Sequence, residues 1–374
     1  MGNSTDVTVK TKLHQQKEKK KYKRVLILGG GGVKGAFQIG TIKHLIEKHD
    51  IKWDLIIGVS VGALTGSYLA MYNQNEVLKG IKSLESFWRT KINNEAIYKP
   101  IAPGFWKYAF AFFTKYINST EPLRKTLTEN WDLKKLKRSD VDFLLGTTSL
   151  LSGQYRNVDK YSDGIIDWIM ASSAFPILFP SIKILNDEYI DGGLRSNVPI
   201  NDALQFDVEH IDVILCEPYG DHAKSLKRNK NLIDVILRTT EILSDELFVN
   251  DLKHICFFHD IDIDIYSPMS YLTSETLDFN PKLINEMIDI GYTSRRKVSV
   301  KKGSFQRISD HNEKEQKYTK NFEDREGNTI SSKTTFRAVG TTGRTSIPPG
   351  ESSDITVTDS IGFITATTNK EHKD

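Results

Sequence analysis

The sequence predicts an α/β fold with a largely parallel sheet covered by helices. Three observations predict it. Short apolar runs of strand length alternate with stretches whose apolar residues recur at helical spacing. Two strand-to-helix junctions, at 29–35 and 58–62, are rich in glycine. The 374 residues suffice for one sizeable core plus appendages, or two small domains.

The elements follow in order. Residues 1–24 read as a disordered basic arm: between 7 and 24 it carries Lys10, Lys12, Lys17, Lys19, Lys20, Lys21, Lys23 and Arg24 against one acid, Glu18. Such an arm is either a solvated tail or a segment drawn to an anionic membrane surface, at about 1 kcal/mol per charge near it. No aromatic or recognition motif accompanies the charge, so specific nucleic acid is not expected as a partner. From Arg24 the run RVLIL is a short buried strand, and KGAFQIGTIKHLIEKH has Phe37, Ile42, Leu45 and Ile46 on one helical face. WDLIIG is a second strand, and VGALTGSYLAMY opens a second helix. Further strands are expected at DFLLGTT, IKIL, EYID, IDVILCE and ICFFHDIDI, and further helices at NLIDVILRTTEILSDELFVNDLKH and PKLINEMIDIGYTSRRKV. The main domain is therefore placed at 25–300. Near Gly303 the composition turns charged, then rich in Thr, Ser and Gly. Residues 303–374 are either a small β module, with SSDITVTDS and GFITATTN as strands, or a disordered extension.

The net charge of +3 is modest, and Cys216 and Cys256 are too few for a disulfide framework, as expected of a reducing compartment. The first 24 residues hold no apolar run of the kind a secretory leader needs, and no stretch approaches the ~18 apolar residues of a membrane span. A myristoylation motif would need Ser or Thr where Asp6 stands. The expectation is a cytoplasmic protein with peripheral access to membranes.

Gly30-x-Gly32-x-x-Gly35 follows a strand and opens a helix, as a dinucleotide fingerprint does. A dinucleotide site also needs an acid at the end of the second strand. Here that strand ends in GVSVG, and Asp54 stands at its beginning. A P-loop needs Lys-Ser/Thr after its last glycine, where this chain has Ala36-Phe37. Both phosphate readings lack their second requirement.

GVSVG, residues 58–62, lies between a strand and a helix, the context of a nucleophile elbow. The sharp turn at Ser60 requires small neighbours, supplied by Gly58 and Gly62. The alternative is an ordinary helix start. A β-α-β crossover sets both strands parallel, with their ends on the same edge. If the strands are neighbours, amides of Gly30, Gly31, Gly32 and Val33 face a carbonyl attacked by Ser60. They then form an oxyanion hole, whose donors are worth about 3 to 4 kcal/mol each in the transition state. The base is either a late histidine (His210, His222, His254 or His259) or an acid. Asp191 in EYIDGGLRSNVPI fits better, because it ends a strand and Gly192-Gly193 free the backbone behind it. The alternative for Asp191 is a turn residue capping local amides.

Together these stretches resemble the patatin-like phospholipases. GGGGVKG matches that family's glycine-rich loop, GVSVG its elbow, and Asp191-Gly192-Gly193 its Asp-Gly-Gly/Ala loop. The segment ASSAFPILFPSIKILNDEYIDGGLRSNVP adds Pro176, Phe179, Pro180, Asn197 and Pro199. The resemblance is strong over about 25–205 and loose to 300. It implies a three-layer α/β/α fold with a mainly parallel central sheet, and a Ser60–Asp191 dyad without histidine. Lys34, Gly35, Gly58, Gly62, Gly192 and Gly193 become supporting residues, with Lys34 either holding the loop or meeting a lipid phosphate.

The expected activity is hydrolysis of fatty-acyl esters of membrane lipids, with no metal or organic cofactor. A nucleotide-binding module and a catalytically inactive lipid-binding protein are the rivals. FWKYAFAFFTKYI (105–117) is too short to span a bilayer and reads as a buried or lid helix, or as an interfacial anchor. HDIDIDIY (259–266) lacks the glycine of a calcium loop and reads as one face of a strand.

Overall fold

The computed structural model describes residues 19–104, 114–219, 232–273, 275–301, 318–323 and 329–334. The chain divides into two units, Met1–Asn312 and Glu313–Asp374. In the first, a nine-stranded sheet forms from β1 (Lys21–Leu28), β2 (Leu55–Gly58), β5 (Asp142–Ser149), β6 (Tyr155–Asp159), β7 (Ile182–Ile184), β8 (Asp187–Asp191), β9 (Asp207–Ile214), β10 (Asp262–Pro268) and β11 (Arg295–Val300). A separate two-residue ladder pairs β3 (Lys99–Pro100) with β4 (Asn118–Ser119). The main order is β11-β10-β9-β1-β2-β5-β8-β7, with β6 paired to β5. Strands β10, β9, β1, β2 and β5 are mutually parallel and so end on one edge, here the carboxyl edge.

Ten helices are named here: α1 (Gly35–His49), α2 (Val61–Leu69), α3 (Val77–Lys91), α4 (Asn94–Ile97), α5 (Glu121–Asn130), α6 (Leu133–Arg138), α7 (Ile165–Ser172), α8 (Gly193–Ser196), α9 (Leu232–Phe258) and α10 (Pro281–Thr293). Alternation along β1 decides the layering. Leu26 and Leu28 join the apolar cluster that includes Phe37, Leu69, Leu84 and Ile288 from α1, α2, α3 and α10. Val25 and Ile27 join the other cluster, with Phe248, Leu252 and Ile255 of α9. Helices therefore cover both faces, and the expected three layers are present.

Several elements differ from expectation. β1 starts at Lys21, inside the stretch assigned to the arm. Tyr22 is the reason: it is buried, packs edge-on against Phe206 at 5.1 Å, and donates to Asp142 at 2.6 Å. The flanking lysines are drawn into pairs, Lys20 with Asp142 and Lys21 with Glu209. ICFF is helical, because Phe248, Leu252, Ile255 and Cys256 continue one buried face of α9. β10 begins only at Asp262, and the helix expected through Val298 stops at Thr293. β6 and β11 escaped notice because YRNVD and RRKVSV carry too little apolar alternation. β11 lies at the sheet's edge, and β6 pairs only with β5.

In the second unit, β12 (Tyr318–Glu323) and β13 (Thr329–Thr334) form an antiparallel hairpin. SSDITVTDS, GFITATTN, residues 1–18 and aromatic positions 105–113 lie outside the described residues. No helix among the described residues is long and apolar enough to cross a membrane.

Candidate active site

The β1-α1-β2 crossover sets Leu28 beside Gly58, so the glycine loop and Ser60 leave the sheet side by side. Ser60 takes φ 55°, ψ −126°, a strained conformation of the kind costing about 1–3 kcal/mol. The surroundings impose it. A Cβ at position 58 would lie 2.3 Å from the Gly62 carbonyl oxygen, and one at 62 would lie 2.2 Å from that of Leu28. Only glycines permit so tight a turn against β1. The Ser60 carbonyl accepts from the amides of Ala63 and Leu64, which locks the start of α2. Its amide donates to Ser172 Oγ at 3.0 Å, and Ser172 Oγ donates to the Gly146 carbonyl at 2.7 Å. Ser172 is fully buried at the end of α7 and pins the elbow to β5. The sequence reading passed over it within ASSAF.

Asp191 closes β8, opposite Thr147 of β5. Thr147 stands two residues past Leu145, the partner of Gly58, so Asp191 and Ser60 reach the same level. The Asp191 amide donates to Ala174 O at 3.0 Å, and its carboxylate accepts from the Gly193 amide at 2.7 Å and is close enough to the Ser60 hydroxyl to be stabilised by it. The side chain is almost wholly enclosed. Burial pushes its pKa up to about 7, against the downward pull of the Gly193 amide and the Ser60 hydroxyl. Gly192 lies flush against β5, where a Cβ would come 2.4 Å from the Gly146 carbonyl oxygen.

The Gly30 amide donates to Asn197 O at 3.1 Å and the Val33 amide to Thr276 O at 2.9 Å, so both are engaged. Gly31 and Gly32 carry no backbone acceptor among the described residues, and both line the cavity beside Ser60. Of the four amides expected as oxyanion donors, those of Gly31 and Gly32 are the ones without a backbone acceptor among the described residues. Gly32 has φ 58°, and a Cβ there would lie 2.3 Å from Thr276 O. Asn197 lies between the loops, its Oδ1 2.4 Å from a Cβ placed on Gly30 and 2.8 Å from one on Gly193.

Lys34 is 1% exposed. Burial opposes its charge, but Glu217 and Glu241 outweigh that and hold its pKa above the ordinary lysine value. It pairs with Glu217, lies 3.6 Å from Glu241 and sits 5.4 Å from the centre of the Tyr271 ring. Of its two expected roles this geometry serves the first, tying the loop to the segment that follows β9 and to α9. Gly35 brings α1 against the elbow, for a Cβ there would lie 2.3 Å from Val61.

Ser60 and Asp191 open into a cavity of about 150 Å³. Its lining includes the apolar Leu64, Trp88, Ile97, Leu123, Leu178 and Phe279 and the polar Glu217, Thr240 and Glu241. His210, His254 and His259 are not among the lining residues, and His222 lies outside the described ones. His210 instead joins Asp212 and Asp264, whose ligand atoms lie within 4.8 Å of one another. Arg24 and Lys297 already pair with those two carboxylates at 2.5 and 2.9 Å, so the group is an ion-pair network within the sheet.

The patatin-like phospholipase family model matches residues 26–204. The chain is 24% identical over 285 residues to a probable lipid hydrolase (463L) of Invertebrate iridescent virus 6, covering 72% of this chain and 85% of that protein. It is 28% identical over 212 residues to the lysophospholipase NTE1 of Meyerozyma guilliermondii, covering 52% of this chain but 13% of that protein. The crystal structure of VipD from Legionella pneumophila aligns at 15% identity and a TM-score of 0.38, over 74% of this chain and 68% of that one.

Proposed function

Residues 26–204 belong to the patatin-like phospholipase family, and from that premise we propose that the chain cleaves fatty-acyl esters of membrane lipids through a Ser60–Asp191 dyad and an acyl-serine intermediate. Hydrolysis of lipid esters is the family's general activity; the steps come from the site. Ser60 Oγ attacks the ester carbonyl as its proton passes to Asp191. Negative charge on the former carbonyl oxygen is met by the amides of Gly31 and Gly32. Collapse of this intermediate releases the alcohol, which takes the proton from Asp191. Water activated by Asp191 then attacks acyl-Ser60, and the fatty acid leaves. The apolar lining residues take the acyl chain.

One observation carries the reading: a strained serine and a buried carboxylate line the same largely apolar cavity, beside two amides that have no backbone acceptor among the described residues. The same loop fits a nucleotide poorly, since Lys34 is held by two carboxylates and cannot meet a phosphate as well. A fluorophosphonate probe separates the hydrolase from an inactive lipid binder. Wild type should be labelled on Ser60, and Ser60→Ala should not. Labelling that persists in a pure Ser60→Ala preparation contradicts the assignment.

A further inference from the structure

We propose that the tips of the β5–β6 and β7–β8 hairpins dock the catalytic edge onto a zwitterionic phospholipid bilayer by apolar insertion. The proposal rests on the lipid-hydrolase reading for its choice of partner. β5 runs on past the level of Asp191 to Ser149, and the next residues, Leu150 and Leu151, turn back toward β6. β8 reaches Asp191 from the other direction, so its hairpin with β7 also points outward from the carboxyl edge, with Leu185 at its tip. At about 3.3 Å per residue both tips project roughly 10 to 15 Å beyond Asp191.

Their side chains are wrong for water. Leu151 is 81% exposed and Leu185 is 85% exposed. Leu185 also holds φ 56°, a turn position that Asn or Gly fills at lower cost. Ile177, on the segment whose neighbours Phe175 and Leu178 line the cavity, is 42% exposed at φ 71°. Across the mouth, Ile242 and Leu243 of α9 are exposed beside Glu241, which lines the cavity. Bulky apolar residues thus rim the opening that a lipid ester must enter.

Charge selects the bilayer. The tips read Leu-Leu-Ser-Gly (150–153) and Leu-Asn-Asp-Glu (185–188), with two acids and no Lys or Arg of their own; Arg195 is committed to the Gly153 carbonyl at 3.1 Å, and Glu241 on α9 is paired with Lys34 and Arg238. Tips that carry acid and no cation give anionic head groups no partner and tolerate neutral ones. The lysines that open β1, Lys20 and Lys21, lie on the opposite edge and are paired with Asp142 and Glu209. Insertion of about 5–10 Å into the acyl boundary would seat the cavity mouth at the head-group layer.

The test uses full-length protein and phosphatidylcholine vesicles. Leu150→Ser/Leu151→Ser and Leu185→Asn are made singly and together; Leu185→Asn relieves the turn, so it is not expected to unfold the chain. Co-sedimentation should show at least tenfold weaker partition for the combined variant, with wild-type binding unchanged at 1 M salt. Turnover of a soluble short-chain ester should be unaltered. Equal binding by wild type and the combined variant overturns the proposal, as does wild-type binding that needs anionic lipid and disappears in salt. If wild type fails to cleave the soluble ester yet still binds through the tips, the hydrolase reading fails and the docking surface stands.

Discussion

The two edges of the central sheet use the same strands for opposite purposes. The carboxyl edge concentrates strain: Ser60, Ile177 and Leu185 all have positive φ there, and the Asp191 carboxylate is buried without a cation beside it to hold its charge. The amino-terminal half of the same strands concentrates satisfied charge. Arg24 bonds both carboxylate oxygens of Asp212 at 2.5 and 2.9 Å, Trp53 donates to Asp212 at 2.7 Å, and Lys297 pairs with Asp264. The contrast teaches where stability and reactivity are separable: substitutions at one edge should change chemistry and spare the fold, and those in the other region should do the reverse.

The largest expected effect is at the dyad. Ser60→Ala should abolish ester turnover, and Asp191→Asn should lower kcat by the ~10² to 10⁴ typical of losing a general base. Stability should move the other way. The Asp191 carboxyl goes from an ordinary value of 3.8 to about 7 on folding, so the folded state holds its proton more tightly. Its contribution to stability is full below about pH 4 and is lost as pH rises through 7. Asp191→Asn should therefore raise the unfolding free energy at pH 8 by up to about 4 kcal/mol, and Tm with it. Thermal melts of both proteins at pH 5 and pH 8 read this directly; a lower Tm for the variant at pH 8 would mean the buried charge is compensated.

Next comes Arg24→Ala, which leaves the fully buried Asp212 without its guanidinium and should cost about 3–5 kcal/mol. Urea unfolding should show it, while kcat per folded molecule stays near wild type. A fall in kcat with unchanged stability would break the separation of the two regions. Ser172→Ala tests the boundary between them. It strands the Ser60 amide and the Gly146 carbonyl, at about 1–3 kcal/mol. Because one stranded group belongs to the nucleophile, kcat should fall by at least tenfold with KM little changed.

The smallest effect concerns His210. Burial works against its charge, but hydrogen bonds to Asp212 and Asp264 prevail over the nearby Arg24 and push its pKa up to about 9. It therefore stabilises the fold fully below pH ~6.5, and that contribution is lost as pH rises through 9. Between pH 7 and 10 the wild type should lose about 1–3 kcal/mol that His210→Gln does not. Parallel pH-stability curves for the two proteins would remove the network from the account.

What was legible in the sequence follows the same division. The elbow and the loops announce themselves because glycines forced by close backbone approach leave a local pattern, as Gly58 does against Gly62 and Gly62 against Leu28. Buried strands announce themselves by unbroken apolar runs, as in RVLIL. Ser172 was illegible because its partner lies 112 residues away. The engagement of Gly30 and Val33 was illegible for the same reason, since Asn197 and Thr276 arrive from distant loops. Lys21–Arg24 looked like a tail because its partners Glu209 and Asp212 belong to a strand beyond residue 200.

The central claim is that Asp191 activates Ser60 without a histidine. The most direct test is the pH dependence of the rate at which a fluorophosphonate modifies Ser60, with the adduct located by peptide mapping. The account predicts a rate that rises with one ionisation near pH 7 and then levels, as the Asp191 carboxylate forms. Asp191→Asn should be slow and flat across the range, while His210→Gln, His254→Gln and His259→Gln keep the wild-type profile. A full-rate, unchanged profile in Asp191→Asn, or loss of the profile in one of the histidine variants, would contradict it.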